Sequence, residues 1–230
     1  DGQKFLSLQS NELDAHIKGK YQIMELPDAF KIFLSRYYPA YIKRPGYIVK
    51  DQDFSFEIKT KEADQYFQLI DKRLKGFDNS IITGNLKLKD NDLNVRAEVP
   101  SFSYDGKVFN NIMLESHGTL DSLATSVTVE DVAINDSLHL PNTILRISSS
   151  KDTSTVSIIT SASKTISEAS INARVLTLSN GVSVHFFPSS FILNDKKWQL
   201  EKDGEITFNN SRVSANEVKF MQGNQQITIA

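Results

Sequence analysis

The chain has 230 residues, with 26 basic and 28 acidic side chains and no cysteine. Charges that nearly cancel supply no field to hold nucleic acid, and without thiols there is neither a disulfide framework nor a thiolate metal site. No run approaches the roughly 18 apolar residues that span a bilayer, and Asp1-Gly2-Gln3-Lys4 does not open a secretory leader. The absence of cysteine fits a periplasm-like compartment. The start without Met and the strand-like end Gln226–Ala230 read as marks of a piece cut from a longer polypeptide.

Residues 1–78 read as a mixed strand and helix segment. From Pro27, apolar residues at Phe30, Phe33, Leu34, Tyr37 and Tyr41 recur at helical spacing, with Asp28 in the first turn and Pro39 as the terminator. A second helix is predicted over Glu62–Lys75. It would put Ala63, Tyr66, Phe67, Ile70 and Leu74 on one face, with Thr60 as N-cap, Lys72, Arg73 and Lys75 near the C-terminus, and Gly76 as the stop.

Residues 79–230 read as all β. Leu93, Val95, Ala97 and Val99 alternate with polar residues, and so do Val127 and Val129, Leu138 and Leu140, Leu145 and Ile147, and Val156 and Ile158. Ile171, Ala173 and Val175 follow, then Val182, Val184 and Phe186, Ile206 and Phe208, Val213 and Ala215, Val218 and Phe220, and Ile227 and Ile229. Alternation gives each strand one apolar and one polar side. Links at Lys89–Asp92, Tyr104–Gly106, Ser179–Gly181 and Phe208–Ser211 carry turn residues. The Ser- and Thr-rich stretch from Ser148 to Ser170 is read as a strand pair, because Val156, Ile158 and Ile166 interrupt it.

Motifs for chemistry are missing. The four histidines (His16, His117, His139 and His185) stand singly, and His185 between Val184 and Phe186 should point away from the apolar side. Acid pairs such as Glu130-Asp131 and Asp90/Asp92 sit at turns or strand ends. There is no glycine-rich phosphate cradle and no Gly-x-Ser-x-Gly elbow, so no enzyme, cofactor or metal is expected. Aromatic residues beside positive charge, at Arg36-Tyr37-Tyr38 and Tyr41-Ile42-Lys43-Arg44, allow an interfacial membrane contact; packing of the aromatics on the end of the sheet is the favoured reading. Two Asp-Ser-Leu triplets, at 121–123 and 136–138, fit envelope modification sites or simple turns.

The run Phe191-Ile192-Leu193-Asn194-Asp195-Lys196-Lys197-Trp198-Gln199-Leu200 resembles a signature of the TamB family, the translocation and assembly module inner-membrane subunit of the AsmA-like group. It leads into Gly204–Phe208 and then Val218–Ile227, similar to a strand ending in W-x-L followed by one closing on G-x-Q-x-I. Glu115–Leu123 is similar to the family's recurrent a-x-G-x-L step, and the likeness runs from about Gly84 to Ala230. Set beside a full family member, the stretch reads as an excised piece, with the membrane anchor and the outer-membrane end expected outside it. The resemblance implies a long sheet curled into a U-shaped apolar trough, or β-taco, in the periplasm of a diderm bacterium. It further implies a membrane-anchored whole protein that carries phospholipid acyl chains between the inner and outer membranes, supports outer-membrane protein assembly, or does both, with an outer-membrane β-barrel as possible partner. The lining would be Leu93, Val95, Ala97, Val99, Val127, Val129, Val156, Ile158, Ile171, Ala173, Val175, Val182, Val184, Phe186, Ile206 and Phe208.

Alternation alone is equally compatible with a closed β-sandwich. A third reading is a non-catalytic periplasmic scaffold or a chaperone-like module that accepts β-strands at an open sheet edge.

Overall fold

Strands with one apolar side are stable when their neighbours present the same side, which fixes the pairing register. The computed structural model describes residues 2–136, 138–161, 166–201, 204–209 and 212–229, with residues 70, 166 and 167 described by backbone alone. Ser137 of the second Asp-Ser-Leu triplet, Asn210-Ser211 of the last predicted turn and the Ile166 side chain lie outside the described residues. The rest forms one large antiparallel sheet, not closed on itself, with two helices.

The strands pair largely in chain order as far as the eleventh, and beyond it the order forks. β1 (Lys4–Gln9) pairs with β2 (Leu13–Lys20), β2 with β3 (Asp53–Thr60), and β3 with β5 (Ile81–Lys87). A short β4 (Leu74–Gly76) and β5 lie end to end along β6 (Asp92–Tyr104). Long strands follow: β7 (Lys107–Gly118), β8 (Leu123–Asn135), β9 (Leu138–Ser150), β10 (Thr153–Thr160) and β11 (Ile166–Leu178), each paired with the one before. One half of β11 pairs with β12 (Gly181–Phe186), then β15 (Glu205–Asn209) and β16 (Arg212–Asn216). The other half pairs with β13 (Ser190–Leu193), then β14 (Lys196–Leu200), β17 (Val218–Gln222) and β18 (Gln225–Ile229). The two separate sheets of a sandwich do not form among the described residues.

A crease crosses the long strands. Pairing passes over Pro100, Asn111, Glu130 and Asn142, which stand opposite one another on β6 to β9, and Asn79 continues the row between β4 and β5. On alternate strands the crease residue is an asparagine in the left-handed region: Asn79 at φ 55°, Asn111 at 49° and Asn142 at 51°. Asparagine enters that region more readily than most side chains. Each such residue resets the alternation. Val99, Ile112 and Val129 on one side of the crease therefore share a cluster with Phe102, Phe109, Val132 and Leu140 on the other.

Both helices are shorter than the sequence predicts. α1 (Leu26–Leu34) carries Pro27 and Asp28 in its first turn and follows a 3-10 turn at Ile23–Glu25. It ends before Pro39 because tertiary hydrogen bonds take the chain over. The Tyr37 hydroxyl donates to the Thr119 carbonyl, and the Ala40 N–H donates to the Asp152 carboxylate at 2.9 Å. α2 spans only Asp64–Ile70, and Leu74, Lys75 and Gly76 form β4 instead. The Asp64 carboxylate accepts the Gly76 N–H at 2.6 Å and Asp71 accepts the Arg73 N–H at 2.9 Å, turning the chain back. Thr60 does not cap α2; its hydroxyl donates to the Phe77 carbonyl, and Ala63 is the N-cap.

α1 lies on the apolar face of β3 to β8 and makes the main core. Phe33, Tyr37, Ala29, Phe54, Leu86, Leu93 and Leu123 are all buried there. Burying each large apolar side chain contributes about 1.5–3 kcal/mol. The helix approaches closely because Gly118 lacks a side chain: a Cβ there would sit 2.6 Å from the Phe33 ring. At the far end of β6 and β7 a ladder of rings, Phe67–Phe77–Phe102–Phe109, stacks at 4.3, 4.8 and 4.6 Å between centroids and ties α2 to the crease.

Candidate functional site

Registers decide which side chains share a face. Val95 stands two strands from Thr125, which is paired with Ile147; Ile147 pairs with Val156, Val156 with Ala173, and Ala173 with Phe186. Val127 joins Leu145, Ile158 and Ile171 in the next row, and Val175, Val184 and Ile206 make a third. All sixteen side chains singled out from the sequence lie on this one face, from β6 to β15.

Their surroundings differ along it. Leu93 belongs to the core under α1, and Val99 and Val129 to the crease cluster. Ala173 is buried, and Ile171, Phe186 and Ile206 pack on a third cluster built from Trp198, Val218 and Phe220. Trp198 stacks near Phe191, and its indole N–H is buried with no acceptor among the described residues. Ile158 and Phe208 are exposed; Val95, Val127, Val156, Val175, Val182 and Val184 are half-buried.

Beyond the C-terminal end of α1 the apolar face opens into a cavity of about 850 Å³. Tyr38, Tyr41 and Ile42 form one wall, and Val182, Phe208 and Val213 the other, with Arg212 and the turn at Ser179–Gly181 at the edge. Tyr38 is fixed by a 2.7 Å hydrogen bond between its hydroxyl and that of Ser149. Phe208 is 43% exposed and Val213 65%. Burial holds the Tyr37 hydroxyl above its usual range, and burial beside Arg44 holds the Arg36 guanidinium below its own. Only Val182 and Phe208 of the sixteen reach this cavity. The sequence marks the aromatic wall at 38 and 41 as an aromatic and basic segment that packs on the sheet, without a sign that it borders a cavity.

A second cavity, of about 890 Å³, lies on the polar face. Its lining takes mostly residues that alternate with the apolar set: Thr83, Asn85, Asn94, Arg96, Glu115, His117, Ser126, Arg146, Ser148, Thr155 and Ser157. Arg96 pairs with Glu115 at 3.0 Å and with Glu98 at 3.2 Å, and His117 hydrogen-bonds Asn94 at 2.6 Å. This concavity, of about the same volume as the first, is on the side opposite to the expected groove. His185 also belongs to this polar side, as expected, opposite Arg174 and Glu205. His139 pairs with Asp131 at 2.9 Å, and no group of three potential metal ligands occurs among the described residues.

The fold and this surface define a class: an open antiparallel sheet whose apolar face is partly sealed by a helix and partly free. Family models, curated proteins and solved structures yield no match to the chain.

Proposed function

We propose that the chain is a segment of a TamB- or AsmA-like envelope protein whose apolar sheet face curls into a trough and shields phospholipid acyl chains. The carrying observation is that the sixteen alternating side chains share one face from β6 to β15, and that this face ends in an open cavity lined by Tyr38, Tyr41, Ile42, Val182, Phe208 and Val213. The cavity falls within the roughly 300–1,000 Å³ range of ligand sites. A sheet of this many strands favours curling over lying flat. Exposing an acyl chain to water costs about 0.8 kcal/mol per methylene, so about 10 kcal/mol for a long chain; an apolar surface offsets most of that while the headgroup stays wet. Sliding along such a surface needs no nucleophile or cofactor. Localisation in the periplasm of a diderm bacterium, non-enzymatic action and partnership with an outer-membrane barrel belong to the same proposal.

Mass spectrometry of the gently purified protein tests it. Phospholipid should co-purify with the wild type, and Val182→Trp, which fills the cavity, should reduce it. Protein free of lipid, or equal lipid on both, would reject the reading. Small-angle scattering tests the shape: a trough should exceed the radius of gyration of about 17 Å expected of a compact chain of this length.

A second reading has its own observation. β1 is exposed along its whole length, with Phe5 and Leu8 projecting, and pairs only with β2 among the described residues. Such an edge can accept a strand from another chain, as a scaffold or strand-binding module would. Saturable binding of an extended apolar peptide, abolished by proline at Leu6, would favour it.

A further inference from the structure

We propose that the connection between β2 and β3 docks this chain onto an anionic lipid bilayer, next to the mouth of the apolar cavity. Phe33 and Tyr37 in this connection are core, but large apolar side chains around them are left in solvent. Met24 is 86% exposed, Ile48 94% and Tyr41 74%, and Ile23 and Tyr47 are exposed as well. Local hydrogen bonds hold Tyr47 and Ile48 beside the start of α1. The Tyr47 hydroxyl donates to the Asp28 carboxylate, and the Lys50 N–H donates to Glu25 at 3.0 Å. Ile23, Met24, Tyr47 and Ile48 therefore gather at one end of α1, and Tyr41 stands at the other beside the cavity.

The charge around these side chains selects the partner. Residues 21–52 hold five basic side chains (Lys31, Arg36, Lys43, Arg44 and Lys50) against three acidic ones (Glu25, Asp28 and Asp51), and Lys31 pairs with Asp28 at 2.9 Å. Lys43 donates to the Pro39 carbonyl at 3.0 Å and Arg44 to the Ser35 hydroxyl at 3.2 Å; neither meets a carboxylate among the described residues. Exposed aliphatic and tyrosine side chains, with Lys43 and Arg44 free of carboxylate partners beside Tyr41, match an interface where apolar groups enter the headgroup boundary and cations meet lipid phosphates. A protein partner with an acidic patch would satisfy the cations, but would leave Ile48 and Met24 without the apolar depth a bilayer supplies. Docking here would bring the mouth between Tyr41 and Val213 to the membrane surface. The inference goes beyond the acyl-chain reading and does not require it.

Co-sedimentation of the whole chain with vesicles is the test. Phosphatidylcholine vesicles containing phosphatidylglycerol should carry down the wild type far better than pure phosphatidylcholine vesicles. Each exposed cation contributes about fivefold at such a surface, so Lys43→Gln with Arg44→Gln should lower partitioning roughly tenfold or more. Ile48→Asp should lower binding to both vesicle types. Lys43, Arg44 and Ile48 are all exposed, so thermal melting of the variants should stay at the wild-type value. No sedimentation of the wild type, or loss of neither kind in the variants, would overturn the proposal. So would a vesicle-independent dimer that Ile48→Asp dissolves, because that outcome assigns the patch to a second copy.

Discussion

Two regions carry the same alternating pattern and meet different fates. Under α1, Phe54, Leu86, Leu93 and Leu123 face Phe33 and Tyr37 and are sealed from water. At the β12–β16 end, Val182, Phe208 and Val213 continue the same face and remain open, with only Tyr38, Tyr41 and Ile42 across the gap. The pattern of a strand therefore specifies a face, and the presence of a cover decides whether that face is core or binding surface.

The comparison can be broken most strongly at the cover. Phe33→Ala should destabilise the fold by about 3–5 kcal/mol in denaturant unfolding, because its ring is fully buried and leaves a cavity. Phe208→Ala should cost about 1 kcal/mol or less, since that ring is partly in solvent. Equal costs would mean the two regions are the same kind of interior. Gly118→Ala should cost about 1–3 kcal/mol, because its new methyl overlaps the Phe33 ring that closes the sealed end.

At the crease the expected effects are smaller. Asn111→Ala should lose about 1–2 kcal/mol from placing an ordinary side chain at φ 49°, while Asn111→Gly should stay near wild type. The smallest effect belongs to the surface pair after α2. Hydrogen bonds from the Arg73 side chain and N–H hold the Asp71 carboxyl down at about 2. Because that folded value lies below the unfolded one, its stabilisation is present above about pH 4 and fades as pH falls towards 2. The pair is solvent-exposed, so Asp71→Asn should leave unfolding at neutral pH within error and show a difference only in acid titrations.

Much of this was legible in the sequence. Residues at i and i+2 share a side in any strand, which groups the apolar positions within each strand, and the registers then bring all sixteen to one face. The turns at Asn91, Asp105 and Gly106 carry the positive φ their residue types suggest. The crease is not legible strand by strand, although Phe109-Asn110-Asn111-Ile112 and Leu140-Pro141-Asn142-Thr143 both break the alternation with an asparagine. A single break looks like a turn; only the registers show that the breaks on neighbouring strands align. The second helix was overextended because Leu74 fits its apolar spacing. Hydrogen bonds from the Gly76 and Arg73 N–H groups to the Asp64 and Asp71 carboxylates, rather than helix propensity, turn the chain there. The polar cavity was invisible for a different reason: concavity comes from how strands are arranged, and Ser126, Arg146 and Ser157 carry no local sign of it.

Photo-crosslinking from the two faces, in cells or with native lipid extract, bears most directly on the free apolar face as a lipid-bearing surface. A photoreactive side chain in place of Phe208 should form phospholipid adducts, and the same group in place of Ser148, in the polar cavity, should form none. Adducts from both positions alike, or protein adducts alone from Phe208, would contradict the account.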